Sequence, residues 1–199
     1  MTCPAGGTWE VIHIDPRLLP GQDFSRCRAE ALDAVIVNGF LPTFSRARSA
    51  SETGPRPVRD AQHPDGFPWA LGKHDQAAQD GNNVLDAVAW WCSGANELQI
   101  PWIVFGPEAI DAPQTASESA SLWQHPKIQG MAAQATAVHE SFCMCSLCWP
   151  ATGPTRTLSN HRLSIARIHA APPQWGEDGG YAGPLPKWCG HHHAKGPLS

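Results

Sequence analysis

NNVLDAVAWWCSGANELQIPWIVFG (82–106) changes its hydrophobic period partway along, and that change decides the fold. In its first part Val84, Leu85, Val88 and Trp91 recur at helical spacing, Asn82 or Asn83 supplies a side-chain cap, and Gly94 marks the stop. The remainder, LQIPWIVFG (98–106), is a short continuous apolar run of the kind found in buried strands. Pro101 has no amide proton to give, which predicts an edge position or a bulge for that strand. A helix followed at once by a strand predicts an α+β body rather than a helical bundle.

Towards the N-terminus, TWEVIHI (8–14) alternates apolar and polar residues and predicts a first strand, closed by Asp15-Pro16. Asp23 is placed to cap a helix over 24–38, with Phe24, Cys27, Ala31, Leu32 and Val35 on one face and Gly39 as its stop. Residues 43–82 contain SRARSASETGPRPVRDAQHPDG, which has few apolar residues and many breakers. They predict a long surface loop, mobile or ordered by a partner, with Phe67 and Trp69 touching down on the body. Towards the C-terminus, 107–125 reads as loop, and Pro126 opens a third helix with Ile128, Met131, Ala132, Ala135 and Val138 in one stripe. The chain thus divides into a mixed α/β body (1–125) and a helix with a cysteine- and histidine-rich module (126–199).

Composition agrees with short elements joined by many turns. Of 199 residues, 42% are hydrophobic and 16% charged, while 18 Gly and 19 Pro disfavour coiled coils and long bundles. No apolar run reaches the length of a membrane crossing, and MTCPAGGTWE lacks the shape of a signal peptide, so the expectation is a cytoplasmic protein with no membrane contact. The net charge of −4 is unevenly spread: residues 1–140 hold 9 basic against 16 acidic residues, and residues 141–199 hold 5 against 2. An acidic body with a mildly basic tail suits a small module facing nucleic acid. The body carries no phosphate loop, dinucleotide fingerprint or nucleophile elbow, and His13, His63 and His74 stand alone as structural or surface residues. The nine tryptophans read mainly as core or lid residues.

Seven cysteines in a chain expected to be cytoplasmic favour metal or buried thiols over disulfides. Cys3, Cys27 and Cys92 are scattered and read as small buried hydrophobes or free thiols. The other four fall in HESFCMCSLCWP (139–150) and KWCGHHHAKG (187–196), where histidines also collect. Cys145-x-x-Cys148 is a knuckle that aims two thiolates at one point, and Cys189-x-x-His192 supplies a second pair. Together they complete a tetrahedral set suited to a structural Zn²⁺. Cys143, Cys145 and Cys148 alternatively form a three-thiolate claw suited to an iron–sulfur cluster or a low-spin iron or cobalt centre. In a third alternative these cysteines are incidental.

With these residues in place, the tail resembles the HNH (ββα-metal, treble-clef) endonuclease family over about residues 143–196. Cys145/Cys148 and Cys189/His192 match its two knuckles, His193 falls on the metal-binding His of its last helix, and Lys195 is near its usual basic residue. ARIHAAP (166–172) looks like the strand bearing the general-base His169, and Gly179-Gly180 like the turn after it. The sequence departs from the pattern at Ile168, where the family carries Asp or His, and in GPLPKW (183–188), where an Asn is expected. Asn160-His161 is the better dipeptide but lacks the following Pro. The resemblance implies a zinc-stapled treble clef. It also implies, where the site is catalytic, a Mg²⁺- or Mn²⁺-dependent phosphodiester hydrolase. His169 or His161 would then be the base, His193, with Asn160 or Asp178, would hold the reactive cation, and Arg162, Arg167, Lys187 and Lys195 would hold the nucleic-acid backbone. The alternative is a non-catalytic zinc-stabilised accessory subunit of a nucleoprotein or phage- or plasmid-type assembly, with the N-terminal body meeting a protein partner.

Overall fold

A computed structural model describes residues 32–38, 42–44, 55–107, 120–143, 154–161, 174–175, 177 and 181–183. Along the chain these form β1 (Val35–Asn38), α1 (Lys73–Glu97), β2 (Trp102–Pro107), α2 (Pro126–Ala132), β3 (Val138–Cys143), β4 (Pro154–Ser159), β5 (Gln174–Trp175) and β6 (Tyr181–Gly183), with 3₁₀ turns at 42–44 and 122–124. A four-stranded sheet has the order β1-β2-β4-β3, and β5 and β6 pair separately. β1 and β2 are parallel, as α1 between them allows, whereas β4 runs antiparallel to both of its neighbours. This is a small mixed α/β body.

The core lies between this sheet and the two helices. Along α1 the buried residues Ala78, Gly81, Leu85, Val88, Cys92 and Ala95 recur at alternating steps of three and four. Leu85, Val88, Cys92 and Ala95 meet Trp102 and Val104 of β2 and Leu158 of β4, with Leu122, Trp123, Ile128 and Met131 closing the cluster. One core therefore draws on residues either side of position 126. A second stripe on α1, Ala87 and Trp91, packs against Leu32 and Val35. Trp123 lies so close to β2 that a side chain at Gly106 would come within 2.9 Å of its ring, and its indole N–H donates to the Pro107 carbonyl at 2.8 Å. Burial pushes the Cys92 thiol up to about 12, so it behaves as the buried, inert cysteine its position suggested.

Several expectations are corrected. α1 begins at Lys73, not at Asn82, because its stripe starts with Ala78 and Gly81, which are too small to show as a hydrophobic period. The loop expected over 43–82 is thus helical in its last ten residues, and residues 55–72 form an irregular but docked strap, with Val58 and Arg59 each 1% exposed. Phe67 and Trp69 do not touch down on the core: they stack on each other at 4.9 Å, edge-on to His63, and Trp69 stays exposed. Residues 35–38 are a strand rather than a helix end, since Val35-Ile36-Val37 is β-branched and pairs in register with Trp102–Val104. β2 is an inner strand and neither edge nor bulge. Pro101 precedes it, and its carbonyl accepts from the Val35 amide at 2.9 Å. α2 stops at Ala132, so Ala135 lies beyond it and Val138 belongs to β3. The expected strand 8–14 and helix positions 24–31 lie outside the described residues, as do 45–54 of the expected loop. Among the described residues, no helix is long and apolar enough to cross a membrane.

α1 ends in a Schellman motif. The Gln99 amide donates to the Asn96 carbonyl at 3.1 Å and the Ile100 amide to the Ala95 carbonyl at 2.8 Å, with Gln99 at φ 57°. That backbone region favours glycine. Gln99→Gly should therefore raise stability by about 0.5–1 kcal/mol despite glycine's greater freedom when unfolded, read as a higher Tm by calorimetry.

Candidate functional site

β3 and β4 form a hairpin whose last registered pair is Cys143 with Pro154. The ten residues joining them, 144–153, include Cys145-x-x-Cys148. β5 and β6 pair through Trp175 and Tyr181, and the residues between them include Gly179-Gly180, the segment where the family resemblance expects a turn. Cys145, Cys148, Cys189 and His192 all lie outside the described residues, as do His169, His193, Asp178, Arg162, Arg167, Lys187 and Lys195. Among the described residues, no three His, Cys, Asp or Glu side chains converge to hold a metal ion.

Asn160 and His161 are described, and the structure gives them different roles. Asn160 Oδ1 accepts from the Trp102 amide at 2.9 Å, while its Nδ2 donates to Asn96 Oδ1 at 2.9 Å and to the Ile100 carbonyl at 3.1 Å. Asn96 Oδ1 also accepts from the Trp102 indole at 2.7 Å, and its Nδ2 donates to Gln134 Oε1. Asn160 is thereby engaged in tying the end of β4 to the end of α1. His161 follows, exposed, on a hollow of about 590 Å³ shared with Ser93, Glu97, Gln99 and Thr136. The C-terminal end of α1 opens onto this hollow with Glu97 and no basic residue in its last turn. Both features make the hollow negative, which opposes the approach of a phosphate to His161.

A second polar cluster, not anticipated from sequence, docks the strap. The guanidinium of Arg59 donates to the Pro64 carbonyl at 2.6 Å, to Asn82 Oδ1 at 2.9 Å and to the Ala78 carbonyl at 2.8 Å, and lies over the Phe44 ring. Asp60 Oδ1 accepts from the amides of Gln62 and His63 and from His63 Nδ1, an Asx turn that shapes the strap. Desolvation acts to raise the Asp60 pKa, but the backbone and side-chain hydrogen bonds from His63, with its charge, outweigh it and hold the carboxyl below its ordinary value. His125, 1% exposed, faces Asp65 of the strap. His139 lies edge-on to Trp123, and burial, reinforced by the nearby charge of Arg156, lowers its pKa. The turn-forming DAQHPDG (60–66) was the visible part of this cluster. Its anchors on α1 and at His125 are remote in sequence.

The chain matches no family model, and no curated protein and no solved structure is detectably similar to it.

Proposed function

We propose that this chain is a zinc-stabilised protein that docks to nucleic acid through its C-terminal region. The observation that carries the reading is the hairpin: Cys145-x-x-Cys148 falls in the ten-residue connection between strand ends paired at Cys143 and Pro154. Two cysteines separated by two residues have the spacing of a zinc knuckle, and this connection is short enough to keep them close together. Cys189 and His192 complete the set, and three soft thiolates with one imidazole suit Zn²⁺. Arg162, Arg167, Lys187 and Lys195 lie in the same part of the sequence and supply charge for a phosphate backbone.

The test starts with metal analysis of the full chain purified without chelators. One equivalent of zinc is expected, lost in Cys148→Ser; stoichiometric iron, or full zinc in that variant, overturns the assignment. Binding to duplex DNA should weaken with salt at a log–log slope of about −3 to −4, the value for four neutralised phosphates. A slope near zero removes the nucleic-acid part of the reading.

Between catalysis and docking, one observation favours docking. The Asn160 side chain is engaged in the Asn96, Ile100 and Trp102 network, so the first residue of this dipeptide is poorly placed to hold a cation against a phosphate. A nuclease would then rest on His169 as base and His193 as ligand to Mg²⁺ or Mn²⁺. His193→Ala would abolish divalent-dependent cleavage while leaving zinc content unchanged. Absence of cleavage under any divalent ion leaves the accessory role, with zinc as the staple.

A further inference from the structure

The hollow at the C-terminal end of α1 has a fixed floor and an open rim. Asn96 and Asn160 make the floor. Asn160 Nδ2 donates to Asn96 Oδ1 and to the Ile100 carbonyl, and Asn96 Oδ1 accepts again from the Trp102 indole. Two carboxamides bound to each other and to backbone cannot turn towards a ligand, so binding falls to the rim. There stand the hydroxyls of Ser93 and Thr136, the Gln99 carboxamide and the Glu97 carboxylate. All four side chains are exposed, and none holds a hydrogen-bond or ionic partner among the described residues.

Gln99 also stands at φ 57°, in the position of the Schellman turn where glycine is the usual occupant. The turn needs no side chain there, and a side chain strains it. Such positions collect at ligand sites, where the side chain has a use that offsets the strain.

Charge and hydrogen-bonding capacity select the ligand class. Glu97 and the carbonyl end of α1 make the hollow negative, which repels phosphates and carboxylates. A bare metal ion meets no three converging His, Cys, Asp or Glu side chains among the described residues. What fits is an organic cation that brings several N–H donors to a carboxylate, a carboxamide and two hydroxyls. A guanidinium offers five donors in a planar fork and is more weakly hydrated than an ammonium, so a half-open site strips its water more easily. The volume of about 590 Å³ accommodates this head group with an alkyl stem, for which Pro101 supplies an apolar part of the lining.

We propose that this hollow is a guanidinium-binding site, taking an alkylguanidine or an arginine side chain, with Glu97 as counter-ion and Gln99 as the carboxamide that favours guanidinium over ammonium. The assignment does not depend on zinc, whose proposed ligands lie in other segments of the sequence.

The experiment is a titration of the isotope-labelled full chain at low ionic strength, followed by nitrogen–proton correlation spectra. The probes are propylguanidinium, N-acetylarginine amide and butylammonium, each with one positive charge. Saturable shifts are expected at Ser93, Glu97, Gln99 and Thr136 with both guanidinium probes. The tighter of those two tells a free small molecule from a polypeptide side chain. Glu97→Gln should weaken propylguanidinium about three- to fivefold, the worth of an exposed ion pair. Gln99→Gly should weaken it about two- to threefold through one lost hydrogen bond, while the turn relaxes. Butylammonium should bind more weakly than either guanidinium. Equal affinity for butylammonium, or unchanged affinity in Glu97→Gln, overturns the site. So do equal shifts at Asp75 and Asp80, which lie about 25 Å or more away along α1 and report only diffuse attraction of cations.

Discussion

Replacing Arg59 with alanine should lower the unfolding free energy by about 3–5 kcal/mol, the range for stripping one partner from a buried charged network. The guanidinium is 1% exposed and serves acceptors in both directions, Pro64 in its own strap and Ala78 and Asn82 on α1. Alanine leaves these oxygens buried without their donors and removes the cation from the Phe44 face, 4.2 Å from its centroid. The room for the side chain is built into α1. A Cβ at Gly81 would sit 2.9 Å from Arg59 Nη2 and 2.7 Å from Thr43 Oγ1, so a glycine stands mid-helix despite its cost there. Arg59→Lys should recover little, since an ammonium point charge lacks the planar fork that reaches all three acceptors. Urea unfolding followed by tryptophan fluorescence measures the loss; a change under 1 kcal/mol for Arg59→Ala would show that the strap contributes nothing to the core.

What was legible in the sequence follows the range of the interactions involved. The Leu85 and Val88 stripe and the Pro126 helix start are local patterns and appear where their residues placed them, whereas α1 runs past Gly94 to Glu97 and only Trp102 onward of the apolar run 98–106 is strand. The start of α1 was hidden because its buried residues there are small: Gly81 lies against a guanidinium and a hydroxyl, and Ala78 against Gly66, rather than against bulky apolar groups. β1 was misread because Leu32 and Val35 do pack on α1, as a helical stripe would, while Val35–Asn38 is held by parallel pairing to residues 67 positions away. The same reasoning applies to the candidate site. Cysteine and histidine spacing is visible in a linear string, but the engagement of Asn160 depends on Asn96 and Trp102, 64 and 58 residues distant. Sequence spacing could propose Asn160-His161 as a metal dipeptide. Only the meeting of the α1 and β4 ends reveals that its first residue is already bound elsewhere.

That reassignment makes Asn160→Asp a discriminating substitution, because aspartate is the residue a metal-binding dipeptide would favour and is the same size. At pH 7 it should cost about 2–4 kcal/mol. The two donors to Asn96 Oδ1 and the Ile100 carbonyl are lost, and a carboxylate is set against both oxygens at 2.9 and 3.1 Å. The side chain is half-buried, so water softens the penalty and keeps it from the higher values of a sealed core. These neighbours disfavour the charged form, so the folded pKa of the new carboxyl rises above its unfolded value of about 3.9. The deficit is therefore smallest below that value, where a protonated carboxyl again has a donor, and it grows as pH rises until it saturates above the folded pKa. His161→Ala should change stability by no more than about 0.5 kcal/mol, as expected for an exposed ring. A cation-binding dipeptide requires the opposite pattern: Asn160→Asp would leave stability nearly unchanged, or raise it when Mg²⁺ or Mn²⁺ is added, and His161→Ala would cancel that gain. Denaturation curves of the two variants at pH 3.5 and 7, with and without divalent ion, separate a structural tie from a metal site because the two assign opposite signs to the same carboxylate.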